Sequence, residues 1–349
     1  MFSELNNLRV LTFDPEFEGI CGITEEELLT QLRPDIEWLS ECSGLYGRKK
    51  MDFDETVAEL KRMYDGYHFS VKMTDIYKPW SIIYAFDSGM IDNYWFSTGT
   101  PSSLINLLRM KQFNLPELEG FEADMEQFNA PTERITDPVP VLFQSGYLTL
   151  KGYRPENGSY ILGFPNEEVY QGFSRSLYQY YMEDYTGSRN RMTTAFWHLR
   201  SGESTFEQFL EAVRRWYAGI PYSITDKNQN GRSSESHQAC LNGRVVTDED
   251  EVNEQFYQAM FYALMAGMGA DVHAEDQTAD GRMDISLKMR DAIYILEFKY
   301  DKTSEEALHQ ILAKDYAVRF AAESRPVYAV GLNISADRKT IESYDIVKL

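Results

Sequence analysis

The chain has 349 residues, 43% of them hydrophobic, and 34 Lys and Arg against 55 Asp and Glu give a formal net charge of −21. That apolar content builds packed cores, which excludes wholesale disorder, and the length favours two domains or more. The acidity excludes attachment to nucleic acid by bulk charge and leaves room for a local basic groove or a metal-assisted site.

Residues 1–225 read as largely helical with short strands interleaved. Thr24 and Glu27 form a capping box before Leu28, Leu29 and Leu32 at helical spacing, with Pro34 expected to end or kink that helix. A second amphipathic helix covers 54–64 and stops at Asp65-Gly66-Tyr67. Thr100-Pro101 reads as the cap and first position of a third helix. An apolar run, Ser145-Gly146 and Tyr147-Leu148-Thr149-Leu150 predict a hairpin over 139–153. Asn166-Glu167-Glu168 opens another helix, and 206–217 is a further one. Residues 226–250 are polar and aperiodic, as a linker is. Beyond it Phe256, Met260 and Leu264 mark a helix over 251–267. Strands are expected over 272–275, 282–289, 292–299 and 326–333. Thr303 and Glu306 form a capping box before a helix that turns Ala307, Leu308 and Ile311 inward. The fold class is thus α/β, with a mainly helical N-terminal part and a compact C-terminal α/β domain at 251–349 built on a central mixed sheet.

Several chemistries have nothing to rest on. The chain has no G-x-x-x-x-G-K-S/T loop, no H-E-x-x-H and no G-x-S-x-G, and its five histidines are scattered. Cys21, Cys42 and Cys240 lie far apart, so neither a disulfide framework nor a zinc ribbon is expected, which fits a reducing cytoplasm. The apolar stretch at 259–270 is too short to span a bilayer, and MFSELNNLRV lacks a secretory pattern.

The C-terminal strands carry the positive signal. Glu297 and Lys299 are two apart in a strand and share a face. Asp284 and Glu297 are equidistant from the turn at Arg290-Asp291, so a tight hairpin places them opposite one another. Two carboxylates can hold Mg²⁺ or Mn²⁺, and a lysine beside them can position water or stabilise charge developing on a phosphodiester. E-x-K on a strand is also a common solvated pattern, and the tripeptide alone does not decide. The residues 240–349 hold 12 Lys and Arg against 20 Asp and Glu, so nucleic acid is repelled unless a cation and local basic residues offset the charge.

Asp284, Glu297-x-Lys299 and a following helix with Gln310 resemble the core of the PD-(D/E)XK nuclease superfamily. The stretch from Asn253-Glu254-x-x-Tyr257 through Gly281-Arg282-x-Asp284 to Gln310-Ile311 and Tyr316 resembles the restriction-endonuclease-like domain that follows AAA-ATPase-like regions in bacterial proteins of uncharacterised function. Leu5-Asn6-Asn7-Leu8, Tyr64-Asp65-Gly66-Tyr67, the run from Tyr94-Trp95 to Thr100-Pro101, Gln144-Ser145-Gly146-Tyr147-Leu148 and Gly163-Phe164-Pro165-Asn166 resemble the ATPase-like region. The resemblance implies an ATPase-like remnant over 1–225 without its nucleotide-binding loop, hence no ATP hydrolysis, then a nuclease-like domain.

It also implies Asp284, Glu297 and Glu254 at a Mg²⁺ or Mn²⁺ site, with Lys299 and Gln310 completing the catalytic set. Glu254 reads equally as a surface glutamate. Glu275 is placed on the first strand, Lys314 on the Gln310 face, Tyr316 in the core and His273 as a structural residue. Lys299 is expected as a rim lysine of little weight for folding. The expected substrate is nucleic acid, DNA foremost, with a homo-oligomer or protein partner allowed. The competing reading is a catalytically silent interaction module on the same fold.

Overall fold

The computed structural model describes residues 11, 13–45, 49–95, 118–128, 138–180, 185–220, 239–241, 244–246, 249–278, 281–314 and 316–349. They form two compact units that divide between Phe173 and Ser174. Packing therefore does not divide in the polar segment 226–250, and the helices just before that segment belong with the C-terminal sheet.

The first unit contains β1 (Ile23–Thr24), α1 (Glu25–Gln31), α2 (Arg33–Cys42), α3 (Phe53–Tyr64), β2 (Ile76–Tyr77), α4 (Pro79–Ser88), β3 (Phe121–Ala123), α5 (Met125–Phe128), α6 (Pro138–Gln144), β4 (Thr149–Arg154) and β5 (Ser159–Gly163), and ends inside α7 (Glu167–Tyr180). The capping box of Thr24 and Glu27 is present. Pro34 does not merely end α1; it lies in the first turn of α2, where its missing N–H costs nothing. The hairpin expected over 139–153 is instead helix α6 followed by β4. Pro138 and Pro140 fit a first helical turn, and Gly146 at φ 76° closes the helix while Tyr147 N–H returns to Leu142 O at 2.8 Å. The hairpin proper is β4–β5. Thr100-Pro101 and Leu5–Leu8 lie outside the described residues.

The scattered aromatic and glycine motifs of this unit meet in space. Asn166 Nδ2 donates to Asp65 O at 2.9 Å, and Tyr67 OH donates to Gly146 O at 3.0 Å. Buried Glu168 accepts the Tyr94 and Trp95 N–H groups at 2.7 and 2.9 Å. Gly66 has φ 90°, and a Cβ there would lie 2.3 Å from Pro165 O, so only glycine fits.

The second unit contains α8 (Tyr185–Ser201), α9 (Phe206–Tyr217), the ribbon β6 (Ala239–Leu241) and β7 (Arg244–Val246), α10 (Glu249–Gly267), β8 (Asp271–Thr278), β9 (Gly281–Lys288), β10 (Ile293–Tyr300), α11 (Ser304–Ala313), β11 (Val327–Ile334) and β12 (Ile341–Lys348). Five strands form a mixed sheet in the order β12-β11-β10-β9-β8. Only β10 and β11 are parallel, and α11 supplies the crossover that parallel neighbours need. β12, which sequence reading did not foresee, closes one edge.

Alternation along β10 assigns its two faces. Ile293 and Ile295 pack with Ile311 of α11, Tyr316, Phe320 and Ala329. Phe298 and Tyr300 face α10, with ring centroids 5.7 Å from Phe261 and 6.2 Å from Tyr257. The Thr303 and Glu306 capping box starts α11 as expected. Gly331 of β11 pairs with Glu297, and a Cβ there would lie 2.2 Å from Ser304 O and 2.7 Å from Leu308 N. Glycine thus lets the α11 backbone settle onto the sheet beside Glu297. We expect Gly331→Ala to push α11 outward and cost about 1–3 kcal/mol, the usual range for overpacking. The check is a lowered midpoint in urea unfolding with an unchanged slope.

Candidate active site at a fork between two strands

The β9–β10 hairpin turns where Met289 N–H donates to Ala292 O at 2.8 Å. A short connection fixes register. The ladder runs from Ile293↔Lys288 to Leu296↔Ile285 and stops there. β10 then stays with β11 as far as Tyr300↔Ile334, while β9 stays with β8 as far as Thr278↔Gly281. The sheet forks at this point. In the same register the next rung is Asp284 opposite Glu297, as the turn midpoint predicts. Instead of a backbone rung, Asp284 Oδ2 accepts the Phe298 N–H at 2.9 Å. Gln258 Nε2 of α10 donates to Asp284 O at 3.1 Å and holds the diverging strand.

The other four expected site residues meet around the fifth, Glu297. Lys299 Nζ lies 3.3 Å from Glu297 Oε1 and 3.0 Å from Glu254 Oε1, and donates to Phe298 O at 2.9 Å. Gln310 Nε2 of α11 donates to Glu297 Oε1. Asp284 completes the set from β9. Glu254 enters the constellation through Lys299, as a tether of the amine and not as a surface glutamate. Side-chain exposure is 1% for Glu297, 11% for Lys299 and 18% for Glu254, so Lys299 is no rim lysine. Its removal leaves two carboxylates in a largely dry place, a change of the kind that costs several kcal/mol.

Electrostatics follow from burial. Loss of solvent pushes the Glu297 carboxyl well above the ordinary range, and the neighbouring Asp284 charge adds to the rise. Burial raises Asp284 as well, against the Phe298 N–H and the Lys299 charge. Burial works against the Lys299 ammonium, yet Glu297, Glu254 and Asp284 together hold its pKa above the usual lysine value. A proton retained on one carboxyl, or a bound cation, relieves the opposition of the two groups at the fork.

Glu297 Oε2 is buried with no hydrogen-bond partner among the described residues. An orphaned carboxylate oxygen beside a second carboxylate is a donor set of hard oxygens, and it fits Mg²⁺ or Mn²⁺. Among the described residues no three His, Cys, Asp or Glu side chains gather as a ready ligand cluster.

The remaining candidates divide between the edge of this site and more distant positions. Tyr316 is fully buried under β10, and its hydroxyl meets Gln310 and Lys314 beside the Glu297 charge. Lys314 caps α11 with its Nζ 5.8 Å from the Tyr316 ring centre, and its charge favours ionised Asp284 and Glu297. His273 is exposed and pairs with Asp271 at 2.8 Å. Glu275 lies on β8, and its side chain is outside the described residues. Sequence reading missed Gly331 and Gln258. The signal for the first was a lone glycine inside an apolar strand run, which often marks close backbone approach.

Comparison with known proteins bears on the segment that holds this fork. The chain is similar to the uncharacterized protein in the vnfD 5′ region of Azotobacter chroococcum mcd 1, with 27% identity over 356 residues. The alignment covers 100% of this chain and 61% of that relative, so the chain spans about three fifths of its length. No solved structure matches the chain. Residues 252–344, which hold Glu254, Asp284, Glu297, Lys299 and Gln310, match the PD-(D/E)XK nuclease superfamily and are a domain of that superfamily.

Proposed function

We propose that the protein is a nuclease that hydrolyses phosphodiester bonds of nucleic acid, DNA foremost, with Mg²⁺ or Mn²⁺. The observation that carries this reading is the fork itself, where Asp284 and Glu297 oppose one another and Glu297 Oε2 has no hydrogen-bond partner among the described residues. When bound, the ion supplies Lewis acidity toward the phosphodiester and a more acidic water. Asp284 and Glu297 would hold it. Gln310 fixes the Glu297 carboxylate by taking Oε1, which leaves Oε2 for the ion. Glu254 holds Lys299, whose ammonium orients water or meets charge that develops on the phosphate. Residues 1–225 are read as ATPase-like, and the chain has no G-x-x-x-x-G-K-S/T loop to give them ATP turnover.

The test is cleavage of single-stranded and duplex DNA, and of RNA, with Mg²⁺ or Mn²⁺ against a chelator control. Glu297→Gln should abolish cleavage. Lys299→Ala should cost about 10²–10³-fold, and Gln310→Ala about 10–100-fold, as for residues that orient a metal ligand. If wild-type protein and Glu297→Gln are equally inert on all substrates with both metals, the nuclease reading falls and the interaction-module reading replaces it.

The raised carboxyls also predict a pH dependence. A carboxyl whose folded pKa is raised binds its proton more tightly in the folded state. Its contribution is present below the ordinary carboxylate value of about 4.3 and is lost as pH rises through the folded value. Metal-free protein should therefore melt at a falling temperature as pH rises above the ordinary carboxylate range. Glu297→Gln should flatten that slope, and excess Mg²⁺ should flatten it in the wild type. Calorimetric melts across pH, with and without a chelator, measure this.

A further inference from the structure

The two helices that precede the linker make a groove on the second unit. Its walls are α8 and α9, held together by Phe196 and Phe209 with ring centroids 6.3 Å apart. The cavity has a volume of about 540 Å³ and is lined by Asn190, Arg191, Thr194, His198, Arg215 and Trp216, among others. All of these except Trp216 are exposed, and the buried indole forms part of the floor.

Charge sets this groove apart from the rest of the chain. In a protein of net charge −21, α8 carries Arg189, Arg191 and Arg200 and no acidic residue. Arg215 contributes from the facing helix and has no hydrogen-bond or ion-pair partner among the described residues. The acidic residues toward the far end are engaged: Glu203 lies 3.6 Å from His198 Nε2, and Glu211 lies 3.0 Å from Arg214. Guanidinium, amide and hydroxyl donors along one trough are the groups that track a phosphate backbone.

The rim adds a stacking platform. Trp197, on α8 beside the groove-lining Thr194 and His198, is 58% exposed, and the Arg200 guanidinium lies 5.6 Å from its ring centre. An exposed indole backed by arginine receives the face of an unpaired base, which a duplex does not offer.

The groove is fastened to the sheet that carries the fork. Phe206 of α9 stacks on Tyr294 of β10 with centroids 3.8 Å apart. Arg214 donates to Ile341 O at 2.6 Å and Glu342 O at 2.5 Å on β12. The groove and the fork thus belong to one compact unit.

We infer that the α8–α9 groove binds a single-stranded segment of the substrate, with phosphates on Arg191 and Arg215 and a base stacked on Trp197. The inference takes its substrate class from the nuclease reading, and it lies outside the segment that matches the nuclease superfamily. It gives so acidic a chain a local place to hold a polyanion, with Arg191 and Arg215 lining the groove.

The test is fluorescence anisotropy of labelled oligothymidylate with full-length protein in a chelator, so that binding is read without cleavage. The Arg191→Glu/Arg215→Glu variant should weaken binding at least tenfold. It should also lower the slope of log K against log salt by about 1.4, the value for two lost single-strand phosphate contacts. Trp197→Ala should weaken oligothymidylate binding about tenfold and leave the weaker binding of a duplex of equal length in place. Melting curves confirm folding, and Arg215→Gln is the milder substitute if the double variant unfolds. Wild-type affinity in the charge variants, or duplex binding as tight as single-strand binding with no effect of Trp197→Ala, would overturn the groove. Hydrolysis of bis(p-nitrophenyl) phosphate by wild type and Glu297→Gln reads the fork separately. Strand binding without that hydrolysis keeps the groove and fells the catalytic reading.

Discussion

Beyond Leu296 and Ile285 the two central strands stop exchanging ladder hydrogen bonds, and the site depends on that divergence. A continued ladder would pair the Phe298 region with the β9 backbone and leave no room between the strands. Because the strands part, the Asp284 carboxylate replaces the missing backbone acceptor, and Lys299 can reach both Glu297 and Glu254. The fork brings together helices on opposite faces of the sheet. Glu254 arrives from α10 and Gln310 from α11, and both end within reach of the same few atoms. Buried backbone groups that lose their ladder need side-chain partners, and at Phe298 those partners are Asp284 and Lys299.

The same arrangement stores an electrostatic tension. Desolvation penalises Asp284 and Glu297 together, and one ammonium shared with Glu254 does not balance three carboxylates. A core that sought stability alone would replace such a cluster with apolar side chains. The cluster is instead surrounded by well-packed aromatic and aliphatic residues, among them Phe261, Phe298, Ile295 and Ile311, which fix its geometry. Preorganised charge in a packed setting is what catalysis on a phosphodiester requires.

Much of this was legible in the residues because it is local. Capping boxes at Thr24 and Thr303 identify their helices within four residues. A two-residue connection after Met289 fixes which residue opposes Glu297, and alternation fixes the shared face of Glu297 and Lys299. What escaped is set by distant chain. The burial of Lys299 comes from α10, forty-odd positions away in sequence, and turns an expected surface lysine into a central one. The helix at 138–144 reads as a strand by composition, and it is decided by the closing bonds around Gly146. β12 and the close seat of α11 on Gly331 likewise depend on tertiary pairing that no local pattern carries.

The stack of Phe206 on Tyr294 has a consequence for what can be cut from this protein. The segment that matches the superfamily starts after α9, yet α9 covers an aromatic surface of β10 and satisfies two carbonyls of β12 through Arg214. Excised at the family boundary, the sheet would bare Tyr294 and its stacked neighbour Tyr328 on the same face. That exposes an aromatic strip on the face of the sheet, the kind of apolar patch through which proteins associate. The evolutionary module and the folding module of this chain therefore have different first residues, and a soluble fragment must begin upstream of α8.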